Sequence, residues 1–187
     1  MSSPTSAIAT ARLDLVPLRL ADADEMVDVL ADPALYTFIG GEPPTRAELA
    51  DRYVAQVRGA SADGREAWHN WIVRERATGA AAGFVQATVI VGNDTDPGSP
   101  TPSAEIAWVI GTPWQRRGYA IEAARGVVDW LDGTGIRTIV VHVHPDHVAS
   151  ARVAARAGLE PTDAFVDGER AWRRTLNVRP PWTTPGD

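Results

Sequence analysis

The sequence predicts a single α/β domain whose sheet combines hairpins with parallel crossovers. Three observations lead there. Along the chain, apolar periodicity switches between the two-residue repeat of strands and the 3.6-residue repeat of helices. The run Ile139-Val140-Val141-His142-Val143 is β-branched enough to be a strand buried on both faces. A chain of 187 residues, 44% apolar and 22% charged, suits one globular unit with an ordinary core. The expected order is strand, two helices, three strands, helix, strand, helix, two strands, with no internal repeat and no second-domain boundary.

Residues 1–9 read as a flexible leader, 10–178 as the domain and 179–187 as a tail. Leu13 to Val16 begins a strand that Pro17 stops. Asp22 with Glu25 three residues later caps a helix running to about Leu30, and Pro33 ends it. Gly40, Gly41, Pro43 and Pro44 mark a turn. Thr45 with Glu48 forms a capping box for a helix from Arg46 to about Gly59, with Leu49, Tyr53, Val54 and Val57 as its apolar stripe. Trp68–Arg74 and Ala80–Val91 form a hairpin through the turn Arg76-Ala77-Thr78-Gly79. Gly92–Ser103 has almost no apolar content and reads as an exposed insertion or a lid. Ala104–Ile110 is the next strand. A helix starts at Gly118 and runs to Leu131 or Asp132, ending near Gly133. Arg137–Val143 is a strand and Val148–Ala157 a helix with Gly158 as its C-cap. Ala164–Val166 and Ala171–Val178 close the domain as a hairpin around Asp167-Gly168.

Composition excludes several kinds of chemistry. With no cysteine, the chain has no disulfide, thiolate metal site or cysteine nucleophile. Its 24 acidic against 18 basic residues leave a net charge of −6, unfavourable for a nonspecific nucleic-acid binder. No run approaches the roughly 18–20 apolar residues of a membrane helix. The first fifteen residues lack the basic and apolar regions of a signal peptide, so a cytoplasmic protein without membrane attachment is expected.

The most informative stretch is AEIAWVIGTPWQRRGYA, residues 104–120. An apolar strand enters a basic turn, and a glycine stands at the mouth of a helix. Converging backbone N–H groups, the positive helix end and Arg116 and Arg117 make a candidate phosphate or pyrophosphate cradle. An ordinary loop-to-helix entry with solvated arginines is the alternative. Neither G-x-x-x-x-G-K-[ST] nor a G-x-G-x-x-G after the first strand is present, which disfavours a P-loop and a dinucleotide fold.

The run Gln115-Arg116-Arg117-Gly118-Tyr119-Ala120 resembles the Q/R-x-x-G-x-G/A acyl-coenzyme A loop of the GCN5-related N-acetyltransferases (GNAT). The wider stretch AEIAWVIGTPWQRRGYAIEAARGVVDWL, the downstream HVHPDHVASARVAARAGLE and the opening TARLDLVPL resemble the subgroup of ribosomal-protein N-terminal acetyltransferases. The resemblance covers about Thr10 to Asn177. It implies a mixed, mostly antiparallel sheet flanked by helices, with splayed fourth and fifth strands that admit acetyl-coenzyme A as acyl donor. The backbone at Val109 and Ile110 would pair with pantetheine, and N–H groups from Arg117 to Ala120 would hold the pyrophosphate. Gln115, Arg116, Arg117, Gly118, Tyr119, Ala120, His147 and Ser150 complete the implied cofactor contacts. The chain departs from the pattern at His147, where asparagine is usual, and at Leu159-Glu160, where Gly-Phe is common. Residues 153–157 also lack the family's tyrosine acid.

Acetyl transfer requires a neutral amine, a thioester carbonyl beside it and a route for the departing proton. Glu105, at the start of the implied thioester strand, is the first candidate base; a solvated strand start is its plainer reading. Ser150 matches the helix serine that reaches the sulfur region. His142 and His144 share a strand face, and with His147 they pose a three-histidine metal site, but no recognisable zinc spacing supports it. Ser150 lacks a G-x-S-x-G elbow, which argues against a hydrolase triad. The acceptor site is expected between the first two helices, their connection and the later hairpin. Trp68, Trp71, Trp108, Trp172, Tyr36 and Phe38 are its candidate lining, and Asp32, Glu42 and Asp94 its candidate attraction for a cationic amine. The expected acceptor is a protein N-terminal amine. The alternatives are a small-molecule or antibiotic amine, or a noncatalytic acyl-coenzyme A sensor. A homodimer through Trp182 or the closing hairpin is the expected assembly.

Overall fold

The computed structural model describes residues 5–90 and 102–175. Among these residues, eight strands form one sheet: β1 (Ile8–Ala9), β2 (Leu13–Pro17), β3 (Glu66–Glu75), β4 (Ala81–Ile90), β5 (Ser103–Ile110), β6 (Thr138–Val143), β7 (Glu160–Val166) and β8 (Glu169–Thr175). The helices among them that flank it are α1 (Ala23–Val29), α2 (Tyr36–Ile39), α3 (Arg46–Gln56), α4 (Tyr119–Asp132) and α5 (Val148–Arg156). The strand order is β1-β2-β3-β4-β5-β6-β8-β7. Only β5 and β6 run parallel; the other neighbours are antiparallel.

Parallel pairing requires a crossover, and α4 supplies it between β5 and β6. The pairing itself is brief. Ser103, Ala104 and Glu105 face Thr138, Ile139 and Val140, and beyond that point the two strands part. The splay implied by the sequence resemblance therefore opens directly after Glu105.

Alternation along the strands sorts side chains onto two faces. On one, Trp71, Val85, Ile106, Ile139 and Val141 join Ala123, Ala124, Val127, Val128 and Leu131 of α4 in a continuous core. On the other, Ile72 and Ala81 pack against Met26, Val29, Leu49 and Tyr53 of α1 and α3. Arg74 fastens α1 to this face. Its guanidinium reaches Asp22 at 2.9 Å and Glu25 at 2.8 Å, and Glu25 also accepts the Ala81 N–H. Burial opposes ionisation of Glu25, but the Ala81 and Arg74 hydrogen bonds outweigh it and hold the carboxyl below its ordinary range.

Helix starts follow the expected chemistry. Thr45 and Glu48 close a reciprocal capping box on α3. Gly118 begins α4 at φ 81°, a left-handed conformation that glycine adopts without penalty. Gly83 has a different reason: a Cβ there would lie 2.1 Å from the Val109 carbonyl oxygen, so only glycine lets β4 and β5 pair.

Several expectations change. Residues 5–9, read as leader, contain a strand and are tied to the sheet: the Trp71 indole donates to the Ser6 carbonyl at 2.8 Å. Two short helical turns, Pro33–Leu35 and Tyr36–Ile39, occupy the connection between α1 and α3. β7 starts at Glu160, four residues before the expected Ala164. Expectations for the insertion at 92–101, the tail at 179–187 and Trp182 lie outside the described residues.

Candidate active site

Strand register builds the site. Trp68, Thr88, Glu105, Val140 and Arg173 face one another in a row across β3, β4, β5, β6 and β8. They share the α1–α3 face of the sheet, yet lie outside the apolar cluster those helices cover. Glu105, with 58% of its side chain exposed, is thus presented on open sheet where β5 and β6 separate.

The adjacent strand supplies its partner. His142 lies two residues beyond Val140 on the same face, and its Nδ1 is 2.9 Å from Oε1 of Glu105. An ionised carboxylate only accepts, so with Glu105 charged the imidazole Nδ1–H donates. That leaves Nε2 as the ring's second proton-exchanging atom. His144 instead accepts the Asp146 N–H, and His147 stacks on Phe38 at 4.4 Å between ring centroids. His142 thus meets Glu105 while the rings of His144 and His147 both lie against Phe38, and among the described residues no group of three or more His, Cys, Asp or Glu side chains could hold a metal ion. Burial, reinforced by the nearby His144, pushes the His147 imidazole below its ordinary range.

The phosphate-cradle candidate lies at the far end of β5. A short turn, Thr112–Trp114, leads to Gln115, and then Arg116 and Gly118 both take left-handed conformations, at φ 60° and 81°. No acceptor among the described residues takes the N–H of Arg116 or Gly118. The first turn of α4 adds the free N–H groups of Tyr119 and Ala120 and the positive end of a 14-residue helix. Side chains divide the remaining work. Gln115 donates its amide to the Ile110 carbonyl at 3.0 Å and so shapes the loop. Arg117 pairs with Glu75 at 3.2 Å, whereas Arg116 is exposed and has no ion-pair partner among the described residues. Tyr119 is only 6% exposed, with its hydroxyl on Glu75 and the Arg12 guanidinium over its ring. Its side chain belongs to the support beneath the loop; its backbone alone faces the cradle.

Register also refines the strand contacts. Gly111 donates to Ala82, so with regular pairing the backbone groups of Val109 and Ala107 point toward β4. Those of Trp108 and Ile110 point the other way, into the splay. Val109 was expected to offer its backbone there; Trp108 occupies that position instead. The signal was the parity of the β4–β5 pairing, which sequence reading does not contain.

Other expectations resolve similarly. Of the four candidate tryptophans, Trp71, Trp108 and Trp172 pack into the α4–α5 core, and only Trp68 is on the Glu105 face. Asp32 is engaged rather than waiting for an amine: it accepts from Thr112 and from the Ala34 N–H, in that order the causes that lower its pKa. Asp94 lies outside the described residues. Ser150 sits in the first turn of α5, partly buried, without a side-chain hydrogen bond among the described residues. His147 occupies the N-cap of that helix but makes no side-chain capping bond, since its ring is committed to Phe38.

Comparison with known proteins gives a family match. The family model described as acetyltransferase (GNAT) domain matches residues 12–160. No curated protein matches the sequence. Among solved structures, an acetyltransferase from Agrobacterium tumefaciens strain C58 is 26% identical with a TM-score of 0.66, over 93% of this chain and 96% of that one. The RimL ribosomal L7/L12 alpha-N-protein acetyltransferase in complex with coenzyme A is 15% identical with a TM-score of 0.70, over 91% and 98%. A spermidine N-acetyltransferase chimera from Vibrio cholerae is 17% identical with a TM-score of 0.64, over 89% and 95%.

Proposed function

The chain belongs to the acetyltransferase (GNAT) domain family and is an acyl-coenzyme A-dependent N-acetyltransferase, and from that premise we propose that it acetylates a primary amine directly, with a protein N-terminal amine as the preferred acceptor. Acetyl-coenzyme A supplies the acetyl thioester. The residues present suit it: a cradle of unpaired N–H groups at Arg116 and Gly118, a helix N-terminus behind them, and a strand edge at Trp108 and Ile110 left open by the splay. Arg116 adds charge beside the cradle. The N–H groups of Trp108 and Ile110 are available to a carbonyl oxygen that gains negative charge.

The observation that carries the reading is the Glu105–His142 pair on open sheet where β5 and β6 part. Glu105 takes a proton from the incoming ammonium or through one water. The Nδ1–H of His142 holds the carboxylate in place, and the proton taken by Glu105 passes to solvent from its exposed carboxyl. No cysteine exists to form an acyl-enzyme, which favours direct transfer. Ser150, in the first turn of α5, is the proposed hydroxyl near the departing sulfur.

A coenzyme A-release assay with acetyl-coenzyme A and a panel of N-terminal peptides and small amines tests this function. Turnover with peptides above that with simple amines supports it. Absence of acetyl-coenzyme A binding by calorimetry overturns it, and binding without turnover on any acceptor identifies a sensor.

A further inference from the structure

Arg12 immediately precedes β2 and reaches under the turn that forms the phosphate cradle. Its Nη1 donates to the Arg117 carbonyl at 2.9 Å, and its guanidinium lies over the Tyr119 ring at 4.9 Å. A Cβ on Gly118 would stand 3.4 Å from its Nη2. No backbone N–H among the described residues donates to the Arg117 carbonyl, so the guanidinium is its donor there.

Glu122 of α4 fixes the guanidinium in that position. Its Oε2 accepts from Nε at 2.8 Å and lies 2.7 Å from Nη2, while its Oε1 accepts the Arg12 backbone N–H at 2.7 Å and the Thr10 hydroxyl at 2.6 Å. Burial opposes ionisation of Glu122, but these hydrogen bonds and the guanidinium charge outweigh it and hold the carboxyl below its ordinary range. The carboxylate also offsets the charge of Arg12, which leaves the direction of its hydrogen bond to Arg117 as its main effect on the turn.

Peptide geometry turns that direction into a function. A trans peptide is planar, with its C=O and N–H pointing opposite ways. None of the described peptide bonds is cis. Holding the Arg117 carbonyl down on Arg12 therefore points the Gly118 N–H, its partner in the same plane, up into the cradle, where no acceptor among the described residues meets it. Turned over, the same plane would aim a carbonyl oxygen at a bound anion. Glycine at 118 makes that turn easy, because it carries no Cβ to resist a change of φ.

We propose that Arg12 is a positioning residue for the acyl donor: by gripping the Arg117 carbonyl it keeps the 117–118 peptide turned so that the Gly118 N–H meets the pyrophosphate of acetyl-coenzyme A. The inference rests on residues 116–120 forming the pyrophosphate cradle, and it extends the donor site to a side chain 105 positions away in the chain.

The test is coenzyme A binding by calorimetry, which needs no acceptor. Arg12→Met alters a side chain that is 51% exposed. It should weaken binding about tenfold, the order expected for one hydrogen bond to a charged group. The number of sites per chain should stay that of wild type. Because Glu122 already offsets the charge, the loss should persist in about 1 M salt, where charges more than about 3 Å apart are screened. Arg12→Lys keeps the charge, but an ammonium lacks the planar fork that holds Glu122 and the Arg117 carbonyl together, so its binding should stay at least about fivefold weaker than wild type. Backbone amide NMR of the wild type separates this inference from the reading beneath it: coenzyme A should shift the Arg116 and Gly118 amide signals. Unshifted signals with coenzyme A bound overturn the cradle, and the role of Arg12 with it. Shifted signals together with wild-type affinity in Arg12→Met, or with full affinity in Arg12→Lys, overturn the role of Arg12 alone. So does a loss that disappears at high salt, or one that lowers the number of sites and not the affinity.

Discussion

His142 Nδ1 and Glu105 Oε1, 2.9 Å apart, join two parallel strands where their pairing ends: Glu105 is in the last pair, and His142 stands two residues beyond its partner Val140. A candidate base is thereby fixed at the mouth of the splay without being buried, which keeps its carboxylate available for proton transfer. Replacing Glu105 with Gln should lower kcat about 100-fold, the lower part of the usual range for general-base loss. Binding of acetyl-coenzyme A, measured by calorimetry, should stay within twofold. His142→Ala should lower kcat less, about tenfold. Normal turnover in Glu105→Gln would remove it as the base.

The cradle depends on backbone shape more than on side-chain charge. Gly118→Ala asks an L-residue to hold φ 81°, a cost of about 1–2 kcal/mol, and places its Cβ 3.4 Å from the Arg12 guanidinium. The expected result is about tenfold weaker acetyl-coenzyme A binding. Arg116→Ala should weaken it less, and the loss should shrink as salt is raised, because that contribution is screened charge.

Arg74 ties α1 to the sheet through two carboxylates, with 24% of its side chain exposed. Arg74→Met should cost about 1–3 kcal/mol by urea denaturation at neutral pH. The pH dependence has a definite sign. The folded-state pKa of Glu25 is depressed, so its stabilising contribution is complete above the unfolded carboxylate pKa and is lost as pH falls through the folded value. The gap between wild type and Arg74→Met should therefore narrow below about pH 4.

His147 titrates in the opposite region. Burial first, then His144, keep its ring neutral in the folded protein, so acid favours the unfolded state. Stability should fall as pH drops below the ordinary histidine value of about 6.5. His147→Gln should flatten that part of the melting-temperature profile, leaving a residual slope from His69, which burial depresses likewise. Phe38→Ala should cost about 1 kcal/mol through loss of the stack on His147.

Much of the architecture was legible because it is local. The Thr45–Glu48 capping box, the glycine at the start of α4 and the hairpins around Arg76–Gly79 and Asp167-Gly168 are written in neighbouring residues. β1 was missed because a two-residue edge strand carries no periodicity; it is held by its neighbours, as the indole of Trp71 on the Ser6 carbonyl illustrates. The Glu160 start of β7 was missed for a similar reason, since that strand is largely exposed and lacks an apolar pattern.

By itself, the sequence determined the fold class and the absence of cysteine chemistry, and it nominated residues 115–120 as a candidate phosphate cradle and Glu105 as a candidate base. Only the tertiary structure decided which backbone groups open into the splay, that Trp68 shares the Glu105 face while Trp71, Trp108 and Trp172 do not, and that His142 rather than His144 or His147 meets the carboxylate. The physical reason is strand register. Alternation within one strand shows which residues share a face, but not which helices cover that face or which residue of a strand 37 positions away stands opposite.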